Sequence, residues 1–387
     1  MPEMILLTPG PTILPPRVAA ALTRPMTNPR TPEFGRVMTT TLAGLRDVFQ
    51  TRNDVIPLVA SGTGGLEASV VNFLSPGDRV LCVSNGFFCE RYAEIAERYG
   101  VRVDRVSAEW GRPVPPEEIA ERLQSDRRKE YRAVLVTQSE TTTGVHNDVR
   151  AIRALLGDHP ALLMVDAISS LAAIPLETDT WGVDVVVGAS QKGLMSPPGM
   201  AFLSVSERAW QIAETNPAPR FYFDLRRGRQ EVHAAFPSTP FTVAVSVVYA
   251  VHEALQLIAE EGLPQVFDRH HRMARLVRTG VRAMGLEVLP DEASAVDTVT
   301  PVRLPGGAEP PAVLAHARER YGVYFAAGIG RLNQHYIRIG HVGYTTAEML
   351  LRGLEGLGRT LNDLGFPVET EAGLSAGKQS LEAVAGR

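Results

Sequence analysis

The chain has 387 residues, with 39 Lys or Arg against 43 Asp or Glu, a formal net charge of −4. This mild acidity excludes the broad basic surface of a dedicated nucleic-acid binder, and 44% apolar with 21% charged residues exclude a disordered chain. The length suits roughly two or three domains with cores that need no staples, and two cysteines, Cys82 and Cys89, can build neither a disulfide framework nor a four-thiolate zinc site.

The start, MPEMILLTPGPT, lacks a charged segment followed by an apolar one. Apolar runs such as AVLVT and ALLMVDA fall far short of the roughly 20 residues of a membrane span. The end, LEAVAGR, matches no retention or peroxisomal signal. The expectation is a cytoplasmic protein.

In chain order, the pattern is strand then helix, repeated. DVIPLVA (54–60) runs into the turn SGTGG, and LEASVVNFL (66–74) follows at helical spacing. RVLCVS (79–84) reads as a buried strand, RYAEIAERYG (91–100) as an amphipathic helix closed by glycine. VRVDRVSAEW begins a strand and PPEEIAERLQ a helix. AVLVTQSET (133–141), ALLMVDAISS (161–170) and VDVVVGASQK (183–192) are further apolar runs with polar ends. Runs apolar on both faces and separated by helices predict a mainly parallel sheet covered on both sides. Ligands then sit beyond the carboxyl ends of the strands, at Ser61–Thr63, Asn85–Phe88, Ser139–Thr143, Asp166–Ser169 and Ser190–Lys192.

The character changes after about residue 245. VVYAVHEALQLIAEEG and GLPQVFDRHHRMARLVRTGVRAMG read as long helices, VDTVTPVRLP and HYIRIGHVG as strands, with helical AVLAHARERYG between them. TAEMLLRGLEGLGRTLNDLG is a last helix, and the Glu/Ala/Gly/Ser-rich tail from Val368 reads as loose. The second half is thus a smaller α+β domain. The expected division is an N-terminal arm (1–20), a large α/β domain (21–255), a small domain (256–367) and a flexible tail (368–387).

Taken singly, the polar residues leave two readings open. SGTGG before a helix can cradle an anion on free N–H groups, or be a tight turn. Asp166 ends a strand as a catalytic carboxylate or as a cap. Lys192 ends the next strand as a desolvated amine nucleophile or as a snorkelling surface lysine. Arg338, among Ile, Tyr and Val, grips a substrate carboxylate or makes a structural salt bridge. His270 and His271 read as a solvated helix face, and Arg226, Arg227 and Arg229 as a solvated loop. Cys82 reads as core, and Cys89 lacks the helix start or histidine that a reactive thiolate needs. No spacing suggests a metal site.

Together these groups are more specific. One sheet edge would carry an anion-binding turn, the aromatic pair Phe87 and Phe88, a Ser/Thr-rich loop, an aspartate and a lysine. A phosphorylated aromatic aldehyde needs that set, and pyridoxal 5′-phosphate is such a molecule.

The segments LLTPGPTILPP, ASGTGGLEASVVNFLSPGDRV, VSNGFFCERY, SETTTG, VDAISSLAAIPL, SQKGLMSPPG and YIRIGHVGY resemble the class V pyridoxal-phosphate aminotransferases of fold type I. The nearest resemblance is to the alanine/serine–glyoxylate group, which includes bacterial members labelled small subunit of a soluble hydrogenase. It implies a mainly parallel seven-stranded sheet flanked by helices, with a smaller C-terminal α+β domain, and a transaminase with ping-pong turnover through a Lys192 aldimine. It further implies that Asp166 holds the ring nitrogen protonated and that Ser61, Gly62 and Thr63, with Gln191, cradle the phosphate. Phe88 and Ile168 then cover the two ring faces, and Thr141 meets the phenolic-oxygen side. Thr239 and Thr242 reach the phosphate of a neighbouring subunit, implying a homodimer. Arg338, with Gly10 and Arg30, serves the substrate.

Pro29-Arg30 stands where relatives commonly have His-Arg, which leaves the substrate open. Alanine or serine as donor and glyoxylate as acceptor fit best. The alternative enzyme is a 2-aminoethylphosphonate–pyruvate transaminase, with Arg30 on the phosphonate. A cysteine desulfurase needs a mobile cysteine, and residues 245–387 contain none. Two cysteines also cannot ligate hydrogenase clusters. A non-catalytic nucleotide-binding module is the remaining class, and Lys192 at a strand end argues against it.

Overall fold

The computed structural model describes residues 4–385. A short strand β1 (Ile5–Leu6) and helix α1 (Pro16–Ala21) lead into α2 (Pro32–Phe49), capped by the Thr31 hydroxyl. Then come β2 (Asp54–Val59), α3 (Gly62–Phe73), β3 (Arg79–Ser84), α4 (Phe87–Arg98), β4 (Arg102–Ser107), α5 (Pro116–Ser125) and β5 (Tyr131–Thr137). A tight hairpin, β6 (Ser139–Glu140) and β7 (Val145–His146), precedes α6 (Val149–Leu156), β8 (Leu162–Asp166), β9 (Val185–Ala189) and β10 (Met200–Val205). Helices α7 (Glu207–Thr215), α8 (Leu225–Val232) and α9 (Val245–Glu261) complete the large domain.

The seven-stranded sheet has the order β2-β10-β9-β8-β5-β3-β4. Its strands are parallel except β10, which runs antiparallel to both neighbours. Alternate residues enter opposite cores. Leu81, Val83, Val134, Val136, Leu163 and Val165 face α2 and α9, while Val80, Cys82, Ala133, Leu135, Leu162 and Met164 face α3, α4 and α7. That two-sided burial is why these strands read as continuous apolar runs rather than alternating ones. β10 was not among the sequence-read strands, although MAFLSV is as apolar as the others.

The small domain starts in α10 (Leu263–Ala283) and holds β11 (Glu287–Val288), β12 (Val299–Arg303), α11 (Pro310–Tyr321), β13 (Val323–Tyr324), β14 (Ala326–Ala327), β15 (Tyr336–Gly340) and α12 (Ala347–Asp363). Its antiparallel sheet has the order β11-β12-β15-β14. The division at 255/256 needs correcting. It falls inside α9, whose Leu255 and Ile258 both stay in the large core, as does Val266 of α10, and the small core begins at Met273. The arm is not separate either. β1 pairs in parallel with β13, and Ile5 and Leu7 lie in the small core.

The described part of the tail, 368–385, is also not loose, and 386–387 lie outside the described residues. Thr370–Ala385 forms helix α13, packed on α10 and α12. Small residues allow the close approach, since a Cβ on Gly373 would lie 2.9 Å from the Gly280 carbonyl. Leu374 and Leu381, one heptad apart, rest on the small core. No described helix is long and apolar enough to cross a membrane.

Candidate active site

The carboxyl ends of β2, β3, β5, β8 and β9 converge on a cavity of about 270 Å3. Gly10, Ser61, Gly62, Thr63, Phe88, Thr141, Asp166, Ile168, Gln191 and Lys192 all line it. Parallel register explains the convergence: Thr137 of β5 lies opposite Asp166 of β8, and Asp166 opposite Val187 of β9, five residues before Lys192.

Each wall has a local cause. Ser61 caps α3, its hydroxyl accepting from Gly64 N at 3.3 Å, so the first N–H groups of that helix face the cavity with the positive end of its dipole. A Cβ on Gly62 would lie 2.7 Å from Ile168 Cδ1, so glycine is what lets Ile168 close the floor. Gly10, at φ 128°, is needed for a second reason: a Cβ there would lie 2.5 Å from Lys192 Cδ. Phe88 meets Phe87 edge-on, ring centroids 5.7 Å apart.

The electrostatics are those of charges without partners. Lys192 is 9% exposed, and its Nζ donates to the Pro9 carbonyl at 2.5 Å. Burial, then the Arg338 charge, brings its pKa down to about 8, with Asp166 opposing. The Asp166 carboxylate accepts from Ile168 N at 2.9 Å and from the Thr137 hydroxyl at 3.4 Å. Burial pushes it up to about 7. Arg338, 7% exposed, donates from Nε to the Ala327 carbonyl and from Nη1 to the Thr141 carbonyl, with burial bringing it down to about 10. Among the described residues no carboxylate pairs with it, so the salt-bridge reading of Arg338 falls. The Gln191 Oε1 is buried without a partner.

Arg30, Thr239, Thr242 and Arg338 do not line the cavity of their own chain, Arg338 reaching it only through the Thr141 carbonyl. Arg30 pairs with Glu231 and donates to the Thr239 carbonyl. The Thr239 hydroxyl donates to the Phe241 carbonyl, and Thr242 is exposed.

Sequence reading missed two residues here. Arg91 lines the cavity, with its guanidinium 4.9 Å from the Phe88 ring centroid and 5.1 Å from that of Phe87, and it donates to the Thr63 hydroxyl. In sequence it resembles any helix-face charge. Glu140, wholly buried, accepts from Phe88 N, Cys89 N and Thr142 N. A lone carboxylate inside the Ser/Thr run SETTTG was its available signal.

Three further readings need correction. Cys89 does sit at a helix start, the third residue of α4, but burial holds its thiol well above the usual range. His270 is fully buried, donating to the Val266 carbonyl and accepting from Gly343 N, because the inner face of α10 closes the seam between the domains. Its neighbour His271 is exposed as expected. The Arg226, Arg227 and Arg229 segment is the helix α8, with Arg226 paired to Asp224 and Arg229 to Asp54 and Glu207. Among the described residues no three His, Cys, Asp or Glu side chains gather as a metal site.

The family model described as aminotransferase class V matches residues 6–335. The chain is 39% identical to the soluble hydrogenase small subunit of Synechococcus sp. (strain PCC 6716), over 98% of both chains. It is 38% identical to the L-aspartate–glyoxylate aminotransferase of Paracoccus denitrificans, over 97% of this chain and 95% of that one. The ureidoglycine–glyoxylate aminotransferase structure from Bacillus subtilis superposes with a TM-score of 0.93 over 99% of both chains, at 31% identity.

Proposed function

The chain belongs to the class V aminotransferases, pyridoxal-phosphate-dependent transferases, and from that premise we propose that it moves the amino group of alanine or serine to glyoxylate or another small 2-oxo acid by ping-pong turnover. Arg338 carries this reading. It is a buried guanidinium with no ion pair among the described residues, held behind the cavity wall by two main-chain carbonyls. A guanidinium fork suits one carboxylate. Arg91, the guanidinium that lines the cavity itself, is engaged by Phe87, Phe88 and Thr63 at the anion-binding turn. A donor with a single carboxylate therefore fits better than a dicarboxylic one.

The donor set suits pyridoxal 5′-phosphate. Ser61, Gly62 and Thr63 offer N–H groups to a phosphate, and Gln191 stands beside them. Asp166, buried with no ion pair among the described residues, suits a protonated ring nitrogen. Phe88 and Ile168 would cover the two ring faces, with Thr141 at the phenolic oxygen. When bound, the cofactor supplies an electron-withdrawing ring that stabilises charge at the donor's Cα. Lys192 would hold the cofactor at its aldehyde carbon, and its amine, when free, would serve as the base for the donor's Cα proton. A pKa near 8 leaves enough neutral amine for that work. Gly10 keeps the space that the lysine needs, and Arg338 orients the donor's carboxylate.

The same reading includes a cytoplasmic homodimer. Phe221 and Tyr222 are 65% and 44% exposed, and Tyr222 stacks on Phe241 at 4.9 Å. This aromatic patch adjoins the anion-binding turn, because a Cβ on Gly64 would touch Phe223 at 3.4 Å. A second copy covering it would bring Thr239 and Thr242 to the partner's phosphate. Arg30, tied to that loop, belongs with them at the mouth of the partner's cavity.

A half-reaction screen tests the proposal. Amino acids are added singly to the holoenzyme, and conversion to the pyridoxamine form is followed by absorbance. Alanine or serine should convert it and glyoxylate reverse it. Conversion by 2-aminoethylphosphonate and by no α-amino acid replaces this reading with the phosphonate transaminase. Conversion by aspartate alone replaces the small donor with a dicarboxylic one.

A further inference from the structure

Helix α4 brings Phe88 and Arg91 to the cavity, but its own start is uncapped by local sequence. Its N-cap is Gly86, which has no side chain to offer. The first N–H groups of a helix need acceptors. Here Glu140, 52 residues away, supplies one: its Oε2 accepts from Phe88 N at 2.9 Å and Cys89 N at 3.0 Å. Its Oε1 accepts from Thr142 N at 2.9 Å.

One carboxylate therefore clamps two segments. The first is the start of α4. The second is the turn after β6, where the Thr141 carbonyl accepts from Arg338 Nη1 at 3.3 Å. Glu140 is 0% exposed. Such a group is costly unless hydrogen-bonded, and the dipole of α4 favours its charge. Burial raises its pKa, while the N–H donors from Thr142 and Cys89 oppose that rise. Its charge also reaches Arg338, where it opposes the lowering by burial. Gly86 is what admits it, since a Cβ there would lie 2.2 Å from Glu140 Cγ.

We propose that Glu140 is a positioning residue of the active site: by capping α4 and bridging to the Thr141 turn, it fixes Phe88 against the cofactor ring and Arg338 against the substrate carboxylate. The proposal rests on the transaminase reading above. Glu140→Gln keeps the shape but turns an amide N–H toward main-chain N–H donors.

Apoenzyme is titrated with pyridoxal phosphate by absorbance, and donor KM and kcat are measured on the loaded protein. Glu140→Gln should bind the cofactor about tenfold more weakly, the size of one weakened charge-assisted hydrogen bond. Donor KM should rise more than kcat falls. Glu140→Asp, which keeps the charge, should recover part of both. Wild-type affinity and KM in Glu140→Gln, with only a lower melting temperature, would reduce Glu140 to a structural cap and overturn the proposal. Should that variant fail to fold, Gly86→Ala crowds the same contact from the other side and is read by the same titration against the same two outcomes. Absence of cofactor binding by the wild-type chain strikes the transaminase reading instead.

Discussion

Arg278 and Lys192 are both buried cations, 2% and 9% exposed, yet their surroundings differ in kind. Arg278, on α10, donates to Glu292 at 2.9 Å, to the Val296 carbonyl at 3.2 Å and to Asp297 at 3.2 Å. Lys192 has one main-chain carbonyl. The same contrast holds for the acids. Asp297 is held below the usual carboxylate range by His271, Arg278 and His341, whereas Asp166 is pushed above it by burial. Charge buried to hold the small domain is satisfied within the chain. Charge buried in the cavity has main-chain and hydroxyl partners but, among the described residues, no ion pair.

Removing each cation should therefore have opposite consequences. Lys192→Ala should lower turnover by at least about 10^3-fold, the scale of a lost proton-transfer and nucleophilic group. Its apoenzyme should unfold at an equal or higher urea concentration than wild type. Near-normal turnover, or a large loss of stability, breaks the contrast. Arg278→Met should do the reverse, costing about 3 kcal/mol in urea unfolding because it removes the buried cation shared by Glu292, Asp297 and the Val296 carbonyl, leaving His271 to Asp297. The folded fraction should keep its donor KM.

Arg338→Ala is milder. Donor KM should rise about 10- to 100-fold, as expected for one charge-assisted contact, with cofactor affinity spared. Arg338→Lys should recover only part, because the fork is lost. An unchanged KM in the alanine variant removes Arg338 from the substrate site.

The pH dependence of the apoenzyme sharpens the same comparison with the smallest effect. Burial brings the pKa of His270 and His341 down to about 3. The unfolded chain binds protons near 6.5 while the native one does not, so their contribution is complete above pH 6.5 and is lost as pH falls toward 3. Asp166, raised from 3.8 to about 7, works against them, its native state holding the extra proton in that interval. Lys192 acts at the other end: stability should rise as pH increases from about 8 toward 10.5. Urea midpoints across pH 4–10 check the signs, and Lys192→Ala should flatten the alkaline limb alone.

The sheet was legible because β3, β5, β8 and β9 are buried on both faces and carry their polar residues at their ends. That also drew attention to Asp166, the last residue of β8, and to Lys192, three residues beyond the end of β9, both of which line the cavity. What escaped was long-range. The start of α4 was placed four residues late because its cap, Glu140, comes from another strand. Arg91 gains meaning only from the register of α4 against Phe87 and Phe88. The tail read as loose because its Ala and Gly residues carry little apolar surface, yet small side chains are what let α13 lie close on α10. His270 looked exposed beside His271, and only the packing of α10 across the two cores separates them.

The stretch from Ile5 to Pro11 threads both halves of the molecule. Leu7 is laced to β13, its amide donating to the Tyr324 carbonyl, and to β15 of the C-terminal sheet, its carbonyl accepting from Gly340 N, and two residues on, the Pro9 carbonyl accepts from Lys192 Nζ. Any tilt of that sheet against the strands therefore acts directly on the carbonyl that holds the Lys192 amine. A few residues of chain act as a drawstring, linking the posture of one half to the position of a buried lysine in the other.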